Sequence, residues 1–88
     1  MYYTYVLYSS GFDRIYIGQT YNLGLRIERH NKGNVKSTKA YIPWELVYFQ
    51  NYSTRSLAMK EEKKLKSHKG REFIRRKLLN GRAGLIPD

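Results

Sequence analysis

Three stretches of the chain are dominated by β-branched and aromatic residues, and such side chains favour strands over helices. The stretches cover residues 2–8, 14–18 and 44–52. A short polar turn, residues 9–13, separates the first two, which therefore predict an antiparallel hairpin. The third follows a polar loop over residues 33–43. It is expected to join the same sheet.

Residues that cap helices precede two of the remaining stretches. Asn22 suits the N-cap of a helix over about residues 23–32. Ser53 or Thr54 suits the N-cap of a second helix that runs to about Ser67. The pattern thus predicts one helix between the second and third strands and another after the third strand.

A third helix is predicted over residues 71–79, after a break at Gly70 and before an end at residues 80–81. The element order is therefore ββαβαα. This order predicts an α+β fold in which a three-stranded antiparallel β-sheet is flanked by helices. We expect a single domain, with a core over about residues 2–80 and a short C-terminal tail at residues 81–88.

The composition is that of a small globular protein without cysteine. The chain has 88 residues, 41% of them hydrophobic, which is enough for one modest core and too many for a disordered segment. Without cysteine it can form neither a disulfide framework nor a thiolate zinc site. It begins with no secretory signal pattern, and no apolar run is long enough to span a bilayer. We therefore expect a cytoplasmic protein.

The charge narrows the choice of partner. Lysine and arginine number 17 against 7 aspartates and glutamates, a formal balance of +10 at pH 7. Residues 51–88 hold eleven of these cations and four of the acids. A domain this basic favours nucleic acid, although charge alone also allows an anionic membrane surface or an acidic protein. The nine tyrosines add side chains that can stack on bases.

The first predicted helix carries two polar side chains at helical spacing. Leu23 and Ile27 define its apolar stripe. Arg26 and His30, also four residues apart, lie at the flank of that stripe and could hold a phosphate between them. Alternatively, Arg26 extends along apolar surface and His30 is a hydrogen-bonded boundary residue. The spacing alone favours this second interpretation.

A carboxylate lies near the middle of the apolar stripe of the second predicted helix. Ala58, Met59 and Leu65 form the stripe, with Glu62 close to its centre and Glu61 less central. A carboxylate that faces the core is costly unless it is paired or holds a metal. A lysine or arginine partner and a hard divalent cation are both open as explanations of Glu62.

Tyr5 and Tyr16 lie on the two strands of the predicted hairpin, and their hydroxyls could converge at one edge of the sheet. A tyrosine has a pKa of about 10, so it acts as a base near neutral pH only beside strong positive charge. The alternative is that both rings fill the core. Taken alone, the positions of Tyr5 and Tyr16 favour the interpretation that both rings fill the core.

Together, five segments resemble the GIY-YIG nuclease superfamily in their order and spacing. The first triplet reads Thr4-Tyr5-Val6 in place of Gly-Ile-Tyr, and Tyr16-Ile17-Gly18 begins eleven residues after Tyr5. The other three segments resemble the family's first helix, third strand and second helix, and cover residues 19–33, 43–48 and 58–66. The resemblance spans residues 2 to about 76. It is to the small stand-alone members, similar to the catalytic domain of an excinuclease subunit.

The resemblance implies a metal-dependent endonuclease that cuts DNA. By similarity, Glu62 would hold one Mg²⁺ or Mn²⁺ ion. Arg26 would contact a non-bridging phosphate oxygen. One of Tyr5 and Tyr16 would help to deprotonate the attacking water while the other positions it. His30 would orient a tyrosine or act as an auxiliary base.

The resemblance also implies a nucleic-acid surface and a biological setting. DNA is the expected partner, with branched or nicked forms as candidates and RNA as the lesser one, and DNA repair or recombination is the expected setting. A protein partner could supply specificity. Six basic residues are expected to follow the nucleic-acid backbone, unless they only form a solvated charged face: Lys66, Lys69, Arg71, Arg75, Arg76 and Lys77.

Two alternatives remain open at this point. One is a module of the same fold that binds nucleic acid and has lost turnover. The other is a basic RNA-associated or ribonucleoprotein-associated protein in which Glu62 is only ion-paired.

Overall fold

The computed structural model describes residues 1–79 and contains one three-stranded antiparallel sheet. Its strands are β1 (Tyr2–Ser9), β2 (Arg14–Thr20) and β3 (Glu45–Tyr52), in the spatial order β2-β1-β3. The hairpin prediction is confirmed, and β2 extends two residues beyond its predicted end. Because β1 pairs on both sides, it carries the most deeply buried positions of the sheet.

The helices begin where the sequence predicts their N-caps. Helix α1 covers Leu23–Asn31, and Asn22 Oδ1 accepts a hydrogen bond of 3.1 Å from the Leu25 N–H. Helix α2 covers Arg55–Lys66, and Thr54 Oγ1 accepts one of 3.2 Å from the Leu57 N–H. The α+β class and the order ββαβαα are therefore confirmed. A single 3₁₀ turn, Lys39–Tyr41, interrupts the loop before β3.

The predicted break at Gly70 is wrong, because the chain turns at Ser67 instead. Helix α3 covers His68–Phe73 and continues as a π-helical turn over Ile74–Leu78. Ser67 has an extended backbone and its hydroxyl accepts a hydrogen bond of 3.1 Å from the Gly70 N–H. Gly70 lies inside α3. A glycine is needed at this position because a Cβ would overlap the last carbonyl groups of α2. The predicted end at Asn80-Gly81 and the tail lie outside the described residues.

Helices cover both faces of the sheet. Under α2 and α3, a cluster of buried hydrophobic residues contains Val6, Tyr8, Ile17, Leu65, Ile74 and Leu79. On the other face, Tyr5, Leu7 and Trp44 pack with residues of α1 and of the loop before β3. The alternation of β1 side chains between the two clusters follows from the pleat of the strand.

The apolar stripe of α2 is narrower than the sequence predicts. Ala58 and Leu65 are buried, whereas Met59 is 50% exposed, so its assignment to the core is wrong. Ala58 and Leu65 thus mark one row of α2 side chains that faces the sheet. The Glu62 side chain lies in that row, between Ala58 and Leu65, and is 22% exposed. Within residues 1–79, no helix has the length and hydrophobicity needed to cross a membrane.

Candidate active site

The rings of Tyr5 and Tyr16 converge on the α1 face of the sheet, with their centroids 6.2 Å apart. Gly18, the cross-strand partner of Tyr5, makes room for both rings. A Cβ at Gly18 would lie 2.7 Å from the Tyr5 hydroxyl oxygen and 2.9 Å from the Tyr16 ring. Tyr5 is fully buried and Tyr16 is half-buried. Of the two tyrosines, Tyr16 is therefore the one with access to solvent.

His30 is fully buried between Tyr5 and the loop that precedes β3. Its Nε2 lies 3.0 Å from the Tyr5 hydroxyl oxygen, and its Nδ1 lies 2.8 Å from Thr38 Oγ1. Burial, followed by the nearby positive charge of Arg26, lowers the His30 pKa to about 4. The imidazole is therefore neutral near pH 7 and binds two hydroxyl groups.

One arrangement of protons gives every group in this cluster a partner. The Arg26 Nε–H donates to the Tyr5 oxygen over 3.4 Å, and Tyr5 donates its own proton to His30 Nε2. The His30 Nδ1–H then donates to Thr38 Oγ1, whose hydroxyl donates over 3.4 Å to the Val35 carbonyl. We call this series, from Arg26 to Val35, the buried relay. In it Tyr5 keeps its proton.

The ionisation of Tyr5 agrees with this arrangement. Burial raises the pKa of Tyr5 to about 12, although the hydrogen bond from Arg26 acts in the opposite direction. Near pH 7 Tyr5 is thus a neutral phenol. In this arrangement its proton is directed at His30 and not at solvent.

Arg26 forms the end of the buried relay that is accessible to solvent. Its hydrogen bond to Tyr5 is the main cause of its raised pKa, and Tyr16 is near enough to contribute. The Tyr5 contact uses Nε, so the terminal NH₂ groups of the guanidinium remain for Tyr16, whose hydrogen bond also raises the Arg26 pKa, and for another ligand. The side chain is half-buried, which fixes its direction while its charge stays accessible.

Two further side chains hold the loop against His30. The Asn31 Oδ1 accepts a hydrogen bond of 2.6 Å from the Trp44 N–H, and Asn31 Nδ2 donates to the Trp44 carbonyl over 3.0 Å. The Trp44 indole N–H donates to the Thr38 carbonyl over 2.9 Å. These bonds position Thr38 behind the imidazole. The sequence reasoning missed Thr38, since nothing in a polar loop marks one threonine as the partner of a distant histidine.

Glu62 approaches from α2, which covers the opposite face of the sheet. Its carboxylate is near Tyr5: after burial and the coulombic effect of Tyr16, the charge of Glu62 also raises the Tyr5 pKa. Glu62 Oε2 also lies 2.7 Å from the Lys66 ammonium nitrogen in a partly exposed ion pair. Among residues 1–79, no three histidine, cysteine or acidic side chains gather as a metal site. A cation there would depend on Glu62 and on neutral oxygens.

Gln19 carries a neutral oxygen on the same face of the sheet as α2, and the sequence reasoning missed it. Its Oε1 is buried and has no hydrogen-bond partner among the described residues. Gln19 pairs across the sheet with Thr4, whose hydroxyl donates to the Ala58 carbonyl over 2.7 Å. Ala58 precedes Glu62 by one turn of α2. The alternation of β2 around Gly18, which puts Gln19 on the face under α2, was the available signal.

The six basic residues expected to contact nucleic acid differ in their surroundings. Lys66 is paired with Glu62, and Arg75 NH1 lies 2.5 Å from Asp13 Oδ1. The hydrogen bond from Arg75, followed by that from Tyr8, lowers the Asp13 pKa. The other four are exposed on α3 and its π-helical continuation: Lys69, Arg71, Arg76 and Lys77. The structure thus brings Tyr5, Tyr16, Arg26 and His30 together on the α1 face. Glu62 and these basic residues lie on the α2 and α3 side of the sheet, with Glu62 near enough for its charge to raise the Tyr5 pKa.

Comparison with known proteins shows the family of the chain. The model of the GIY-YIG catalytic domain matches residues 1–77. A UPF0213 protein of Pediococcus pentosaceus is 42% identical over 66 residues, which cover 74% of this chain and 68% of that protein. A UPF0213 protein of Staphylococcus aureus is 36% identical over 62 residues, or 69% of this chain and 76% of that protein. No solved structure matches. The chain therefore belongs to the GIY-YIG family, whose catalytic domain has a nuclease-type function on nucleic acid.

Proposed function

We propose that this protein is a divalent-metal-dependent endonuclease that hydrolyses phosphodiester bonds in DNA. The observation that carries the proposal is the position of Arg26. Its Nε is bonded to the buried Tyr5, which leaves the rest of a fixed guanidinium available beside the half-exposed Tyr16. A guanidinium held in this way suits two oxygens of a phosphate, and it stabilises charge that develops there during hydrolysis.

The two tyrosines have different roles in this proposal. Tyr16 positions the attacking water and relays the proton of that water to solvent by releasing its own hydroxyl proton, since it is the phenol with access to solvent. Tyr5 keeps its proton, because burial raises its pKa to about 12 and its hydroxyl is bonded to His30. Tyr5 and His30 therefore orient Arg26 and do not exchange protons with the substrate.

The chemistry of the available donors fits a single hard cation. Mg²⁺ and Mn²⁺ prefer oxygen ligands, and Mg²⁺ commonly keeps several waters while it binds one or two protein carboxylates. Glu62 would supply the carboxylate, after exchange of its ion pair with Lys66. The unpartnered Gln19 Oε1 would bind an ion or one of its waters. When bound, the ion would stabilise negative charge on the phosphate and on the leaving oxygen.

One observation favours a second candidate, a module of the same fold that binds nucleic acid without turnover. The Lys66 ammonium lies 2.7 Å from Glu62 and satisfies the carboxylate without a metal. Both candidates predict DNA affinity that falls steeply with salt, because both use the same basic surface. Only the nuclease predicts cleavage that depends on Glu62.

The decisive experiment compares wild type with Glu62→Ala and with Glu61→Ala, its neighbour on α2, as the matched control. Nicking of plasmid DNA is measured with Mg²⁺, Mn²⁺ and Ca²⁺, and DNA binding is measured in parallel. We expect Glu62→Ala to lose at least about 10²–10³-fold in rate while it still binds DNA. The control should cut like wild type. If wild type does not cleave DNA with any of these ions, the nuclease is rejected in favour of the binding module.

The same assay tests the expected role in DNA repair or recombination. The substrates are intact duplex, nicked duplex, flaps, four-way junctions and RNA of matched length. Preferred cleavage of branched DNA would support that role. Equal rates on all forms, or preference for RNA, would contradict it.

A further inference from the structure

A shallow pocket of about 140 Å³ lies beside Arg26. The end of β2 and the first two turns of α1 form it. Its lining residues are Thr20, Tyr21, Asn22, Leu25, Arg26 and Arg29. Because Arg26 belongs both to this pocket and to the candidate active site, any group bound here would lie next to the reacting phosphate.

The side chains of this pocket combine exposed hydrophobic surface with positive charge. Tyr21 is 68% exposed and Leu25 is 42% exposed, although both are large hydrophobic residues. Arg29 is exposed as well. Arg26 and Arg29 are three residues apart on α1, so their Cβ atoms are about 5–6 Å apart on one face. This spacing allows the two arginines to contact neighbouring phosphates of one strand.

We propose that this pocket binds one unpaired base of the DNA strand by stacking on Tyr21, with a neighbouring phosphate held by Arg29. Ligand sites for drug-sized molecules start at about 300 Å³, and this pocket is smaller, so it suits one flat ring. Stacking needs an accessible base face, which a paired base inside a duplex does not offer. The substrate class is therefore DNA with an unpaired stretch beside the cleaved bond. This inference rests on the proposed nuclease function, because it uses Arg26 as the contact to the reacting phosphate.

The test measures binding without turnover, in a Glu62→Ala background and without divalent ions. The probes are a fluorescein-labelled single-stranded oligonucleotide of 12 deoxythymidines, the matching duplex, and an RNA single strand of equal length. A second single strand carries 2-aminopurine, whose fluorescence falls when it stacks on an aromatic ring. We compare Tyr21→Ala with Tyr21→Phe, which keeps the ring, and with Phe12→Ala, which removes a 52% exposed aromatic residue at the hairpin turn.

We expect Tyr21→Ala to weaken single-strand binding about tenfold and duplex binding less than twofold, since stacking on one aromatic side chain contributes on this scale. The 2-aminopurine signal should lose its quenching. Tyr21→Phe and Phe12→Ala should both bind like the Glu62→Ala parent. Arg29→Ala should weaken both DNA forms and reduce the slope of log K against log salt by about one.

Other results overturn the proposal. Equal losses for single strand and duplex in Tyr21→Ala would make Tyr21 a general contact. If Tyr21→Ala binds the single strand as tightly as the parent does, Tyr21 is not part of the DNA interface. Tighter binding of the RNA strand would replace DNA by RNA as the ligand.

Two combined results separate the subsite from the nuclease proposal. If wild type cleaves DNA but Tyr21→Ala binds it like the parent, only the subsite is disproved. Selective loss in Tyr21→Ala without cleavage by wild type would defeat only the nuclease.

Discussion

The face of the sheet under α2 and α3 is filled by aliphatic side chains such as Ile17, Leu65 and Ile74, whereas the face under α1 buries the relay that links Arg26, Tyr5, His30 and Thr38. Aliphatic packing has no preferred direction, so the first face tolerates rearrangement at a cost set by volume. Hydrogen bonds are directional, and a buried group that loses its partner is penalised. The aliphatic cluster of the first face therefore supplies stability, while Glu62 and Gln19 on that same face belong to the proposed cation site. The second face fixes the direction of the Arg26 guanidinium.

The largest effect on stability is expected from the aliphatic face. Ile74 is fully buried under the sheet, so Ile74→Ala should lower the free energy of unfolding by about 2–5 kcal/mol. The rate of cleavage per folded molecule should not change, because Ile74 contacts none of the relay. Urea unfolding and single-turnover cleavage at a temperature where both proteins are folded measure the two quantities.

A fall in the cleavage rate of folded Ile74→Ala protein would show that the two faces are coupled through the sheet. The exposed Met59→Ala serves as the control, since it removes a hydrophobic side chain from the surface and should leave both quantities unchanged.

The second largest effect is expected on the rate of cleavage instead of on stability. Arg26→Ala should lower kcat by roughly 10²–10³-fold while DNA affinity falls only a few-fold, because its contact strengthens as charge develops on the phosphate. Single-turnover rates and equilibrium binding separate the two terms. Arg55→Ala, an exposed arginine at the start of α2, is the matched control for lost charge. Equal losses of rate and affinity would make Arg26 a binding residue only.

The smallest of the three effects is a pH dependence carried by His30. Its pKa is about 4 in the folded protein and near 6.5 when unfolded, so the unfolded chain binds the additional proton between these values. Stability from the neutral imidazole is complete above pH 6.5 and is lost as the pH falls towards 4. At about 1.4 kcal/mol per pH unit, wild type should lose about 2 kcal/mol between pH 6.5 and 5.

Unfolding free energies at pH 7, 6.5, 5.5 and 5 check this dependence. His30→Gln should remove most of the slope, whereas His68→Gln, which changes the exposed histidine of α3, should retain it. A wild-type stability that is flat over this range would mean that the imidazole is solvated and that the relay does not form.

Local signals in the sequence predict most of the fold because they act over a few residues. The caps at Asn22 and Thr54 hydrogen bond to N–H groups three residues ahead, and the short turn after Ser9 commits two strands to antiparallel pairing. The resemblance also predicts the convergence of Tyr5, Tyr16 and Arg26. The end of α2 near Ser67 was predicted, but the start of α3 at His68 was missed, because the need for Gly70 arises from its approach to the end of α2 and not from its neighbours in sequence.

The sequence by itself determined the strands, the order of the elements, the basic surface and the residue types of the site. Only the tertiary structure decided that Tyr5 is buried and keeps its proton, that His30 takes Thr38 as its second partner, and that Gln19 Oε1 has no hydrogen-bond partner within residues 1–79. Ionisation and hydrogen-bond partners depend on burial and on groups brought together across the fold. Thr38 lies 8 residues from His30, and Tyr5 lies 25 residues from it, so no local pattern records these contacts.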